Sequence, residues 1–232
     1  MDLSLLSDLN KARTGRQAAI LITSMEKNAQ RLVRKGQDTS KDPLAAELEK
    51  RFRSGKSGLV ALADGSTVFL TVNVPPPRLV IIGAVHISQA LVPMAQISGF
   101  DVTVIDPRTA FATEDRFPNS TLTAEWPEDV LKSAPLDAYT AVAAVTHDPK
   151  IDDFPLQEAL KTDCFYVGAL GSRKTHAKRV ERFETAGLTA QQIARIDAPI
   201  GLDIGAASPA EIAVAVLGSI ILALRKGGEA SR

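Results

Sequence analysis

Four short runs of the chain, residues 78–83, 101–106, 140–146 and 165–168, are apolar without alternation. A strand with one wet face alternates; a strand apolar on both faces belongs to a parallel sheet covered by helices. Stretches with helical spacing follow at residues 86–98, 127–133, 152–161, 172–186 and 189–195, with a short strand near 121–124. The predicted fold class is therefore α/β, a Rossmann-like doubly wound parallel sheet. The longest apolar run, 212–224, is too short for a hydrocarbon core of ~30 Å, which takes ~20 residues. Ser208-Pro209-Ala210-Glu211 before it spells a capping box with proline at the first helical position. That helix is expected to be buried nearly all round, against the sheet, a partner chain or both.

Pro75-Pro76-Pro77 is the strongest punctuation, a stiff connector that fits neither a helix interior nor a central strand. It divides a small α+β unit, residues 1–74, from the Rossmann-like domain, residues 75–232. In the first unit, residues 16–25 predict a strand. Asp42-Pro43 opens a helix with Leu44, Leu48 and Phe52 on one face. Residues 59–63 and 67–74 flank Asp64-Gly65, which predicts a type I′ hairpin.

Composition narrows the function classes. The 27 basic and 27 acidic residues balance, so no global field points to nucleic acid or to a membrane surface. One cysteine, Cys164, cannot close an internal disulfide and suits a reducing compartment. It is expected to be a small buried apolar group, not a reactive thiol. Met1-Asp2-Leu3 carries no basic run before an apolar stretch, so no secretory leader is expected and the location is expected to be cytoplasmic.

The chemistry gathers at strand ends. Gly83-Ala84-Val85-His86-Ile87-Ser88 stands where a dinucleotide fold puts G-x-G-x-x-G/A, with Val85 in place of the second glycine that admits a pyrophosphate. Asp106 closes the next strand, near the position that bonds a ribose hydroxyl. A second turn, Gly168-Ala169-Leu170-Gly171-Ser172-Arg173-Lys174, enters a helix with Ser172 as the expected N-cap. Arg173 and Lys174 then occupy a first turn where the helix dipole disfavours cations, which an anionic ligand would justify. The plainer reading is a solvated basic face, since Lys178, Arg179 and Arg182 follow.

All three histidines, His86, His147 and His176, fall at strand carboxyl ends or just beyond a glycine turn. In strand order 3-2-1-4-5, His86 and His147 flank the topological switch point, with Asp148 beside them. Asp203, in Pro199-Ile200-Gly201-Leu202-Asp203-Ile204-Gly205, either caps a turn or accepts a hydrogen bond from a heterocycle. No H-x-x-x-H or C-x-x-C spacing supports a metal site. No G-x-S-x-G elbow or P-loop appears, and no catalytic residue is assigned.

The stretches PPPRLVIIGAVHISQAL, GFDVTVIDPRTAFATEDRFP, AVTHDPKIDD, FYVGALGSRKTHAKR and PIGLDIGAASPAEIA, in this order, resemble the C-terminal domain of the XdhC/CoxI family. The resemblance implies an accessory protein, not a turnover enzyme. Such a protein binds molybdenum cofactor (molybdopterin or its dinucleotide form) and shields it while an oxo ligand is exchanged for sulfido by a cysteine desulfurase. It then passes the cofactor to an apoenzyme of the xanthine dehydrogenase or CO dehydrogenase kind. The implied cofactor-binding set is Gly83, Val85, His86, Asp106, His147, Asp148, Gly168, Gly171, Ser172, Arg173, Lys174, His176 and Asp203. Two other readings stay open: an NAD(P)-dependent oxidoreductase with His147 as general acid, and a ligand-free interaction module built on the C-terminal helix. The long buried helix and the small first unit would suit a homodimer.

Overall fold

A computed structural model describes residues 3–26 and 29–226. Met1 and Asp2, on which the leader expectation partly rests, lie outside the described residues. The chain forms two compact units, Met1–Pro75 and Pro76–Arg232.

The first unit runs α1 (Leu3–Thr14), β1 (Ala19–Ser24), β2 (Gln30–Arg34), α2 (Ala45–Ser54), β3 (Gly58–Ala61) and β4 (Thr67–Asn73). Its strands make an antiparallel sheet in the order β2-β1-β4-β3. Leu9 and Ala12 of α1 pack on Ala19 of β1. Leu48 and Phe52 of α2 and the preceding Leu44 are buried, as their spacing requires. Helix α1 and strand β2 carry too weak a pattern to be predicted: α1 buries only two side chains, and β2 only Val33. The hairpin differs from expectation. Gly65 has φ +84°, but Asp64 is not in the left-handed region that a type I′ turn needs at both positions. Asp64 instead accepts bonds from the Ser66 amide and hydroxyl. Gly65 N–H returns to Leu62 C=O at 3.0 Å, as in a type I turn followed by a left-handed glycine.

The second unit runs β5 (Arg78–Ile82), α3 (His86–Ile97), β6 (Asp101–Ile105), β7 (Thr121–Thr123), α4 (Pro127–Ser133), β8 (Thr140–Ala144), α5 (Pro149–Lys161), β9 (Tyr166–Ala169), α6 (Arg173–Thr185), α7 (Ala190–Ile193), β10 (Ile196–Asp197) and α8 (Pro209–Lys226). The six strands are parallel, in the order β10-β9-β8-β5-β6-β7. This is the Rossmann order predicted around β5 and β8, extended by β10. Strand alternation explains the unbroken apolar runs. Leu79 and Ile81 of β5 face the core built with Leu91 of α3 and Val216 and Ile220 of α8. Val80 and Ile82 face the opposite core, with Leu156 of α5, Phe183 of α6 and Ile193 of α7. Each fully buried side chain of this size contributes roughly 1.5–3 kcal/mol.

Helix α5 starts at Pro149, ahead of the expected residue 152, because Asp148 caps it by accepting the Lys150 amide at 3.0 Å. The α8 capping box is present: Ser208 Oγ accepts the Glu211 amide, and Glu211 accepts the Ser208 and Ala207 amides. All-round burial of α8 is not found within the chain. Val214 is 52% exposed and Ile221 37%, so one face meets α3 and the sheet while the other is open. No helix among the described residues is long and apolar enough to cross a membrane.

Candidate functional site

Helix α3 leaves β5 toward one face of the sheet and α5 leaves β8 toward the other, so a crevice opens where these adjacent strands end. The first wall is the turn after β5. Gly83 has φ +117°, and a Cβ there would meet Thr146 Cγ2 at 2.8 Å, so only glycine fits against the neighbouring strand end. Ser88 is buried and donates to the Gly83 carbonyl, tying α3 close to β5. Val85 is the extended N-cap position, with no side-chain cap, and His86 begins the helix exposed.

Asp106 is fully buried, and its two oxygens accept four bonds: Ala84 N–H at 2.8 Å, and the backbone amide, Nε and Nη2 of Arg108 at 2.9, 2.9 and 2.7 Å. Burial pushes its carboxyl up, but the bonds from Arg108 and Ala84 outweigh burial and hold it below the usual carboxylate range. In this chain Asp106 braces the glycine turn and fixes Arg108, which also lies over the Phe111 ring at 4.6 Å. The Arg108 guanidinium feels Asp148 and Asp152 across the crevice. Arg116 completes the brace by donating to the Ala84 and Phe111 carbonyls.

The second wall follows β8. Thr146 Oγ1 accepts the Asp148 amide at 2.9 Å and donates to Asp152 at 2.7 Å. His147 between them is exposed and held at φ +65°, a left-handed conformation that costs a non-glycine residue roughly 1–3 kcal/mol. Asp152 is 1% exposed, and its second oxygen has no partner among the described residues. Burial pushes its carboxyl up to about 6, against the pull of Thr146 and Arg179.

The third strand end is β9. Gly168 lies inside β9, where a Cβ would meet Ile200 and Tyr166 at 2.7 Å, so packing accounts for this glycine. Gly171 precedes Ser172, which caps α6 by accepting the Thr175 amide at 3.2 Å, as predicted. Arg173 and Lys174 are exposed in the first turn, and His176 is half-buried. A cleft of about 260 Å³ lies between the start of α5 and α6, and it brings together His147 and Lys174 with Thr175, Lys178, Arg179 and Arg182. Asp203 is exposed on the loop between β10 and α8. Cys164 is fully buried and its thiol is pushed up to about 11 by burial, in keeping with an apolar role.

Arg108, Arg116 and Asp152 were missed by the sequence reading. Arg179 does not belong to a solvated face: it is buried, and its spacing of four from the buried Phe183 was the available signal. Among the described residues no group of three or more His, Cys, Asp or Glu is arranged to hold a metal ion.

A family model described as the XdhC Rossmann domain matches residues 79–220, the whole of this strand-end region. The chain is 32% identical over 148 residues to a probable xanthine dehydrogenase subunit of Bacillus subtilis (strain 168), covering 63% of this chain and 43% of that protein. It is 30% identical over 146 residues to the molybdenum cofactor insertion chaperone PaoD of Escherichia coli (strain K12), covering 63% and 40%. The chain thus spans under half the length of these two relatives. A crystal structure described as a xanthine dehydrogenase from Bacillus halodurans superposes with a TM-score of 0.61 over 100% of this chain and 68% of that one, at 22% identity, which speaks to the fold alone.

Proposed function

The chain belongs to the XdhC Rossmann-domain family, and from that premise we propose that it is an accessory protein that carries molybdenum cofactor as cargo. In this reading it holds the cofactor during sulfuration by a cysteine desulfurase and delivers it to an apoenzyme of the xanthine dehydrogenase or CO dehydrogenase type. Two observations together carry the reading. The family match encloses the whole strand-end crevice, and a relative 30% identical over 146 residues is named as a molybdenum cofactor insertion chaperone.

The residues suit such cargo. The cofactor is a polar heterocycle with anionic groups, and in this reading it is met by the exposed start of α3 at His86, the exposed His147, and the cations Arg108, Arg173 and Lys174. Asp148 and Asp203 are acceptors for pterin or sugar donors. Asp106 serves by fixing Arg108 and the Gly83 turn. Val85, where a pyrophosphate-binding turn has glycine, weighs against NAD(P).

The test is anaerobic incubation with molybdenum cofactor, removal of free ligand by ultrafiltration, and assay of retained pterin and molybdenum. Near-stoichiometric retention is expected, reduced about 10-fold or more in His86→Ala, His147→Ala or Arg173→Ala, the scale of one lost charge-assisted hydrogen bond. Undiminished retention in all three would reject the assigned site. No retention by folded protein, with saturable nicotinamide nucleotide binding instead, would reject the cargo role in favour of the oxidoreductase.

A further inference from the structure

Arg179 is 3% exposed, yet its Nε and Nη1 have no partner among the described residues; only Nη2 is used, donating to the Leu170 carbonyl at 3.2 Å. A buried guanidinium with idle donors is costly unless a ligand supplies acceptors. Asp152 attracts Arg179 without bonding it, since one Asp152 oxygen accepts from Thr146 and the other has no partner. Arg179 forms part of the wall of the 260 Å³ cleft between α5 and α6. Around it stand Lys174, Lys178 and His147, all exposed, and Arg182, which is already neutralised by Asp153 through bonds of 2.5 and 2.9 Å.

We propose that this cleft binds a phosphate monoester dianion, with Arg179 as its buried anchor and Lys174 and Lys178 at its mouth. These three cations lack a bonded carboxylate among the described residues, and a dianion with three terminal oxygens meets them better than a carboxylate with one charge and two oxygens. The cleft lies below the ~300 Å³ at which pockets begin to enclose drug-sized ligands, so it takes a single phosphate group and leaves the rest of the ester outside. The site stands on its own geometry; only the ester's identity, the phosphate of the pterin cargo or that of a nucleotide, rests on the cargo reading.

The experiment titrates inorganic phosphate into the full chain and follows the thermal midpoint, with sodium chloride at matched ionic strength as reference. Saturable stabilisation by phosphate is expected. The dissociation constant should weaken at least 10-fold in Arg179→Met and in Lys178→Glu, and stay unchanged in Lys132→Ala, which lies on α4 outside the cleft. Lys178 is exposed, so its variant keeps the test alive if Arg179→Met does not fold. A phosphate response equal to that of chloride, or undiminished in Lys178→Glu, overturns the site. A nucleoside 5′-monophosphate binding 10-fold tighter than phosphate supports the site and assigns it to a nucleotide. Equal affinity, with phosphate binding lost on loading with molybdenum cofactor, supports it and assigns it to the pterin. Phosphate is probed without cargo, so failure here leaves cofactor retention untouched, and loss of retention in His86→Ala leaves this site untouched.

Discussion

Asp152 is a carboxyl in the wrong solvent, and its cost has a sign that can be measured. Burial raises it from 3.8 to about 6, so between those values the folded chain keeps a proton that the unfolded chain has released. The contribution of Asp152 to stability then falls as pH rises through that window, by up to about 3 kcal/mol at ~1.4 kcal/mol per pH unit. Asp106 acts the other way: its lowered carboxyl adds stability above the unfolded value, lost as pH falls through the folded one. The comparison therefore belongs between the native chain and Asp152→Asn, which cannot titrate but keeps an oxygen for Thr146. Urea midpoints between pH 4 and pH 7 should fall less, or rise more, in the variant. Identical pH profiles would mean that Asp152 is ionised in the fold throughout that range.

Strand β10 has two residues, yet it anchors one end of the sheet through a single oxygen. Asp197 Oδ2 accepts the Tyr166 hydroxyl at 2.7 Å, Ser219 Oγ at 2.8 Å and the Gly201 amide at 3.1 Å, joining β9, α8 and the loop between. Burial, and then the Asp197 charge, push the Tyr166 phenol well above its ordinary value. Asp197→Ala strands three donors and is expected to cost about 3 kcal/mol in urea unfolding, a hydrogen bond to a charged group being worth ~1.5–3 kcal/mol. A loss under ~1 kcal/mol would show that water replaces the carboxylate there. Elements of this kind mark the limit of sequence reading. Strands such as β5 were legible because Leu79 and Ile81 serve one core while Val80 and Ile82 serve the other, which leaves a continuous apolar run. Strand β10 and helix α1 bury too few side chains to print a period. At the candidate site, the Ser172 cap and the Gly83 turn were legible because local backbone geometry dictates their residue types. The bond from Ala84 to Asp106 and the charge of Asp152 beside Arg179 come from residues distant in sequence, and no local pattern encodes them.

At the scale of the molecule, both cores of the parallel sheet draw only on residues of the second unit, and so does every candidate ligand contact. A chain of 157 residues with two complete helix layers buries enough surface to fold alone. The segment 76–232 should therefore unfold in one cooperative urea transition and keep both the phosphate response of the α5–α6 cleft and the retention of molybdenum cofactor. Circular dichroism, the phosphate titration and the ultrafiltration assay on that segment test the three parts separately. A folded segment that binds phosphate but loses the cofactor would place part of the cargo contact in the first unit, Met1–Pro75. A segment that fails to fold would show that the antiparallel unit stabilises the Rossmann sheet, and the division of labour would then lie in folding instead of in binding.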